Sequence, residues 1–224
     1  MIIEDIEQHS AEWLEMRKGM VTGSMVAAAI GRMKKQPKEG PVAYLQCRED
    51  YMFDLAVTRL TGQMPDRYVS KAMEYGTENE QFARAAYEME FDVMVGEVGF
   101  AMHPKIDWFG ASPDCLVGDD CVLEIKCPNS ATHLEYLMGG VVPEKYIPQM
   151  QAEMLCAERK WCDFVSFDPR MPKNIRLFVR RLERDDAKLK ELEFEVCKFL
   201  LELAVLMEKI EKTSPLPVSL LSCE

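Results

Sequence analysis

The chain is poor in the features that announce a zinc site or a disulfide scaffold. Its three histidines, His9, His103 and His133, are scattered. No two of its eight cysteines form a CxxC pair, so zinc ligation of the clustered Cys/His kind is not expected. Cys115, Cys121, Cys127, Cys156 and Cys162 lie in or beside apolar segments, which suits buried free thiols in a reducing compartment. No run of about 18 apolar residues could span a bilayer. The start, Met1-Ile2-Ile3-Glu4-Asp5, has no cationic signal-peptide region. A cytoplasmic protein without membrane contact is therefore expected. Internal repeats and low-complexity stretches are also missing. So is a surplus of basic charge: the net charge of −11 counts against a simple nucleic-acid-binding surface.

What is present is ordinary for a folded chain. Of 224 residues, 48% are hydrophobic and 29% charged, matching a single α/β domain expected over 1–212, with a loose tail at 213–224. The charge is uneven. Residues 32–38 hold four cations and no anion. A basic inner surface on an acidic body stays open, because steering follows the local field and not the total.

Periodicity and punctuation predict the elements. Helices are expected at 10–18 with Ser10 as cap, at 22–30, at 42–60 ending at Gly62, and at 70–90 with Ser70 as cap. Strands are expected at 92–95, 98–102, 109–112, 114–117 and 121–126, with Gly118-Asp119-Asp120 as a hairpin turn. Helices at 132–138 and 143–158, strands at 162–167 and 175–182, and a long helix at 184–212 complete the order. In that last helix Leu192, Val196, Phe199, Leu203, Leu206 and Ile210 step by 4, 3, 4, 3, 4. The stripe fits packing on the sheet or a subunit contact. The order predicts α/β architecture with a mixed sheet flanked by helices.

Chemistry concentrates in Ala111-Ser112-Pro113-Asp114 and Glu124-Ile125-Lys126. Residues i and i+2 of a strand share a face, so Glu124 and Lys126 point together while Ile125 points to the core. Two carboxylates can hold a hard divalent cation, and a lysine beside it can hold or deprotonate a water, the parts that metal-assisted phosphodiester hydrolysis needs. An exposed strand face is the competing reading. Glu80 lies on a helix beside Phe82, Ala83 and Ala86 and could complete a metal shell or face solvent. Gln149 and Gln151 could bond phosphate or water, or form a polar helix edge.

Six ordered motifs then carry a resemblance. They are Trp13-(three residues)-Arg17-Lys18-Gly19-Met20-Val21-Thr22-Gly23-Ser24, Tyr75-Gly76-Thr77-Glu78-Asn79-Glu80, Ser112-Pro113-Asp114, Glu124-Ile125-Lys126-Cys127-Pro128, Tyr146-Ile147-Pro148-Gln149-Met150-Gln151 and Asp168-Pro169-Arg170-Met171. In order and spacing, over about residues 10 to 210, the chain resembles the bacteriophage lambda exonuclease family. These are phage-type alkaline exonucleases of the PD-(D/E)xK superfamily with the restriction-endonuclease-like fold. The resemblance implies a processive 5′→3′ exonuclease on linear double-stranded DNA with 5′-phosphorylated ends. It implies Mg²⁺ (Mn²⁺ as a substitute), two ions per site, a ring-shaped homotrimer, and 3′ overhangs passed to a single-strand annealing protein. The setting would be the bacterial cytoplasm, with a phage or prophage gene.

By motif matching, the resemblance makes Asp114, Glu124, Lys126 and Glu80 catalytic, with Asp114, Glu124 and the Ile125 carbonyl on the metal. Arg17, Ser24, Ser112 and Gln151 would bind the 5′ phosphate. Arg32, Met73 and Gln149 would touch DNA, Met73 as an apolar wedge at the duplex end. A structure- or sequence-specific endonuclease of the same fold, and an inactive recombination scaffold, are the alternatives.

Overall fold

Local signals placed most of the elements correctly. In this computed structural model, which describes residues 2–4, 6–65 and 70–213, the Ser10 hydroxyl accepts from the Trp13 amide at 3.2 Å and opens α1 (Ala11–Arg17). A short strand β2 (Val21–Thr22) leads through a 3-10 turn, Gly23–Met25, into α2 (Val26–Ala29). Ser70 caps α4 (Lys71–Phe91), Asn129 caps α5 (Ser130–Gly139), and Asp185 caps α7 (Asp186–Lys212). Each cap supplies an acceptor to the open amides of a first helical turn. Helix α3 (Gln46–Thr61) ends at Gly62, whose φ of +69° lies in the left-handed region that glycine enters without strain.

Two expectations shift. The helix foreseen at 42–60 starts only at Gln46. Residues before it double back as a loop, with an Arg32–Tyr44 bridge and a Leu45 amide donating to Gly31 O at 2.9 Å. Its buried positions are Arg48, Tyr51, Leu55, Ala56 and Thr58, while Leu45 and Leu60 are exposed. The strand foreseen at 92–95 does not form. Asp92 ends α4 in the left-handed region at φ +53°, and the Val95 amide is taken by the Glu88 carboxylate; only Gly96 bridges to Leu116. The expected tail beyond Thr213 lies outside the described residues.

The strands hydrogen-bond as two four-stranded groups instead of one uninterrupted sheet. The first is ordered β1 (Ile2–Glu4), β3 (Phe100–Met102), β4 (Phe109–Ala111), β2. The second is ordered β5 (Cys115–Val117), β6 (Cys121–Lys126), β7 (Trp161–Phe167), β8 (Leu177–Glu183). Both mix directions: β2 runs parallel to β4 and β6 parallel to β7, and the other pairs are antiparallel. Residues 112–114 step from β4 into β5 and so join the two groups.

Strand β6 is buried on both faces. Cys121, Leu123 and Ile125 pack with Ala83 and Tyr87 of α4, and Val122 packs into the larger core with α6 (Ile147–Cys156) and α7. On α7, Leu189, Leu192, Val196, Phe199 and Leu203 are buried, with Leu206 and Ile210 packed behind them. The long apolar stripe is thus core packing. The five cysteines expected in the interior are all buried and free. Among the described residues, no helix is long and apolar enough to cross a membrane.

Candidate active site

Strand alternation decides what surrounds Glu124. Cys121, Leu123 and Ile125 take the α4 face, so Val122, Glu124 and Lys126 take the other, toward α6. Glu124 is completely buried there and Lys126 is partly exposed at the strand end. Asp114 arrives from the bend that leads into the neighbouring strand β5. Its amide donates to Leu123 O at 3.2 Å, and its Oδ2 accepts from the Ile125 amide at 2.5 Å. The antiparallel ladder therefore fixes both carboxylates and the lysine on rigid backbone, as the sequence pattern foresaw.

A further acid, Glu153 of α6, was not foreseen. It is buried and lies against Glu124. Lys126 Nζ reaches Glu124 Oε1 as an ion pair, yet no donor meets either Glu124 oxygen, or Glu153 Oε2, in hydrogen-bonding geometry. Burial, reinforced by the nearby Glu124 charge, pushes the Asp114 and Glu153 carboxyls well above the ordinary carboxylate range. Burial also raises Glu80, with Lys126 and Arg84 opposing. For Lys126, burial favours the neutral amine, but Glu124 and then Asp114 outweigh it and raise its affinity for the proton. In this arrangement Lys126 is an ammonium ion and no base.

Of the carboxyls around that ammonium, Glu124 and Glu153 are buried, and both Glu124 oxygens and Glu153 Oε2 lack a hydrogen-bond donor. Buried charge must be paired or bind a metal. The donors are hard oxygens, the kind that Mg²⁺ and its relatives take. Among the described residues no three His, Cys, Asp or Glu side chains converge closely enough to hold an ion alone. The residues fit a divalent ion carried by two carboxylates, with main-chain oxygen and water completing its shell.

Beside this cluster lies a cleft of about 150 Å³ lined by Arg17, Thr22, Ser24, Ser112, Gln149, Glu80, Asp114 and their neighbours. It is built from the start of the chain. Arg17, one turn after Trp13 on α1, lies over the indole at 3.8 Å. The Trp13 indole N–H is shared between Gly99 O and Ser112 Oγ, 3.0 Å from each. Since that hydroxyl accepts from Trp13, its own proton is left to donate. Thr22 Oγ1 and Ser24 Oγ stand 3.4 Å apart across the turn at Gly23. His9, at the left-handed φ of +69°, sets its ring 5.1 Å from Trp13. A second cleft of about 340 Å³, with Thr77, Arg84 and Glu97, adjoins the first through Gln8, His9, Glu80 and Asp114.

The structure brings Arg17, Ser24, Ser112, Glu80 and Asp114 into one cleft against Glu124 and Lys126. Three expected residues stand elsewhere. Gln151 spends its amide on the chain before α7, donating to Glu183 O at 3.0 Å and accepting from the Asp185 amide at 3.2 Å. The cleft is lined by Gln149 instead. Arg32 pairs with Glu195 at 2.5 Å and Glu191 at 3.2 Å on α7. Met73 is exposed in the first turn of α4. The one sequence signal for Glu153 was an acid four residues after Gln149 in a mostly apolar helix.

The remaining motif, Asp168-Pro169-Arg170-Met171, is a brace. Burial works against the Asp168 anion, but hydrogen bonds from Arg170 and Ser130 outweigh it and hold the carboxyl at about 2. Arg170 also reaches Pro128 O, just past β6, and lies over the Tyr75 ring. The exit of the Glu124–Lys126 strand is thereby tied to α4, α5 and the end of β7.

Comparison with known proteins agrees with this geometry. The model of the YqaJ-like viral recombinase domain matches residues 12–160. An alkaline exonuclease from Laribacter hongkongensis, LHK-Exo, is 44% identical with a TM-score of 0.81, covering 91% of this chain and 97% of that one. The same figures hold for LHK-Exo in complex with dAMP. A phage related exonuclease from Haemophilus somnus, 16% identical with a TM-score of 0.66 over 85% of this chain and 96% of that one, shares the fold. An uncharacterized protein of Acanthamoeba polyphaga mimivirus is 25% identical over 178 residues, 73% of this chain and 29% of that protein. The chain thus spans under a third of that curated relative.

Proposed function

The chain belongs to the YqaJ-like viral recombinase family, and from that membership and the site we propose that it is a DNA exonuclease. It degrades one strand of linear duplex DNA processively from a 5′-phosphorylated end and leaves 3′ overhangs for a single-strand annealing partner. One observation carries this reading: a single cleft holds cationic and hydroxyl donors suited to a terminal phosphate beside carboxylates, Asp114 at its wall and Glu124 buried behind it, suited to a divalent ion. An enzyme that recognises an end and cuts next to it needs that adjacency.

Each residue has a part. Arg17 grips the terminal phosphate, since guanidinium binds phosphate through paired N–H donors. Ser24 and Ser112 add neutral donors, and Gln149 takes the place that Gln151 was expected to fill. Asp114, Glu124 and the Ile125 carbonyl would hold divalent ions, Mg²⁺ foremost and two per site, with Glu80 supporting the second ion or the water. Such an ion would supply stabilisation of charge on the phosphate and activation of water near neutral pH. Lys126, held as an ammonium by Glu124 and Asp114, orients the water and the scissile phosphate. The working form is a homotrimeric ring, in the cytoplasm of a bacterium that carries the phage gene.

Digestion of end-labelled linear duplex tests the proposal. With Mg²⁺, labelled mononucleotide should be released fastest from 5′-phosphorylated ends, more slowly from 5′-hydroxyl ends and not at all in chelator. Covalently closed circles should survive. Their cleavage would replace the exonuclease reading with an endonuclease, and no hydrolysis of any duplex would leave a binding scaffold.

A further inference from the structure

We infer that Glu153 is a positioning residue that fixes the amide of Gln149, so that an N–H and not the carbonyl oxygen faces the terminal phosphate. The inference rests on the phosphate-cleft reading above. Gln149 and Glu153 stand one turn apart on α6, and Gln149 Nε2 donates to Glu153 Oε1 at 2.9 Å. An amide nitrogen carries two N–H groups. With one committed to Glu153, the amide no longer rotates freely and the second N–H is left for a ligand in the cleft. A free amide can rotate and offer its carbonyl oxygen, which repels a phosphate.

Glu153 is itself immobile. It is 1% exposed, and it packs beneath Gly23, where an added Cβ would stand 3.0 Å from Ala111 Cβ and 3.8 Å from Glu153 Cγ. The next residue, Ser24, lines the cleft. The other Glu153 oxygen has no hydrogen-bond donor and lies against Glu124. One buried carboxyl therefore touches both a cleft residue and the central carboxylate of the cutting site. A buried acid costs free energy unless it is hydrogen-bonded or paired.

Equilibrium binding of short duplexes with 5′-phosphate or 5′-hydroxyl ends, followed by fluorescence anisotropy in chelator, tests this without turnover. The wild type should prefer the phosphorylated end. Glu153→Met and Gln149→Ala should each reduce that preference about tenfold, the worth of one hydrogen bond to a charged group. The double variant should lose no more than either single one, since both remove the same contact. Glu153→Gln, whose amide oxygen can accept in place of the carboxyl oxygen, should keep most of the preference. If Glu153→Met does not fold, Glu153→Leu replaces it with the same expectations. A wild-type preference in Glu153→Met beside a lost one in Gln149→Ala overturns the inference and leaves the cleft intact. A wild-type preference in Gln149→Ala also overturns it. Arg17→Ala then decides the wider reading, because an unchanged preference there as well means the cleft is not a phosphate site.

Discussion

At the scale of single residues, the site is defined by buried carboxyl oxygens that no hydrogen-bond donor meets. Asp114 and Glu153 hold protons in the folded state above their ordinary values of 3.8 and 4.5. The folded state then binds more protons than the unfolded chain, so stability falls as pH rises through that range and beyond. Asp168 acts in the opposite sense: held at about 2, it stabilises the fold above its ordinary 3.8, and the effect is lost as pH falls toward 2. Metal-free protein should therefore melt highest in mild acid and progressively lower as pH rises above the ordinary carboxylate range. A divalent cation that binds only the folded state should restore the alkaline Tm by mass action, and should not do so in Asp114→Asn. Calorimetry across pH, with and without Mg²⁺, checks both; a metal-free Tm that climbs with pH would refute the account. Glu124 and Lys126 were legible in the sequence because charges interrupt an apolar strand. Gln149 and Gln151 were not separable. They lie about 200° apart around a helix, and only the packing of α6 says which side meets the cleft.

At the scale of elements, the ladder between β5 and β6 positions the carboxylates and the β3–β4–β2 group positions the Ser24 and Ser112 wall of the cleft. Gly110, in β4, stands opposite both Met102 and Thr22. A Cβ there would strike the Phe100 ring and come within 2.9 Å of Ala101 O. Gly110→Ala should force the strands apart and destabilise the protein by about 1–3 kcal/mol, lowering Tm by about 2–4 °C per kcal/mol. Thermal melting of the variant checks this, and an unchanged Tm would mean that the strands have slack. Helix caps at Ser10 and Ser70 and the left-handed stop at Gly62 could be read from sequence because they are local. The strand expected at 92–95 failed because Asp92 took a left-handed cap and Glu88 captured the Val95 amide, a competition between side chain and ladder that hydrophobic pattern does not register.

At the scale of the whole molecule, a chain with net charge −11 must still meet DNA, which an acidic exterior around a more basic interior would permit. Exposed apolar side chains on α3 (Phe53, Val57) and on the outer side of α7 (Phe194, Leu201, Val205) are compatible with contacts between subunits. Light scattering should accordingly give three times the 25.7 kDa of one chain; a monomer at micromolar concentration would refute the ring. The cations of residues 32–38 do not make the basic surface by Arg32, because its loop folds back and pairs that residue with α7. By itself the sequence determined the helices, most strands, the α/β order and the Asp114–Glu124–Lys126 centre, since these depend on periodicities and spacings within a few tens of residues. Only the tertiary structure decided that Glu153 joins that centre, that Gln149 and not Gln151 faces the cleft, and that Arg32 is committed elsewhere. The reason is that burial and pairing across 30 to 160 residues of chain depend on how helices rotate and loops return, which no local pattern encodes.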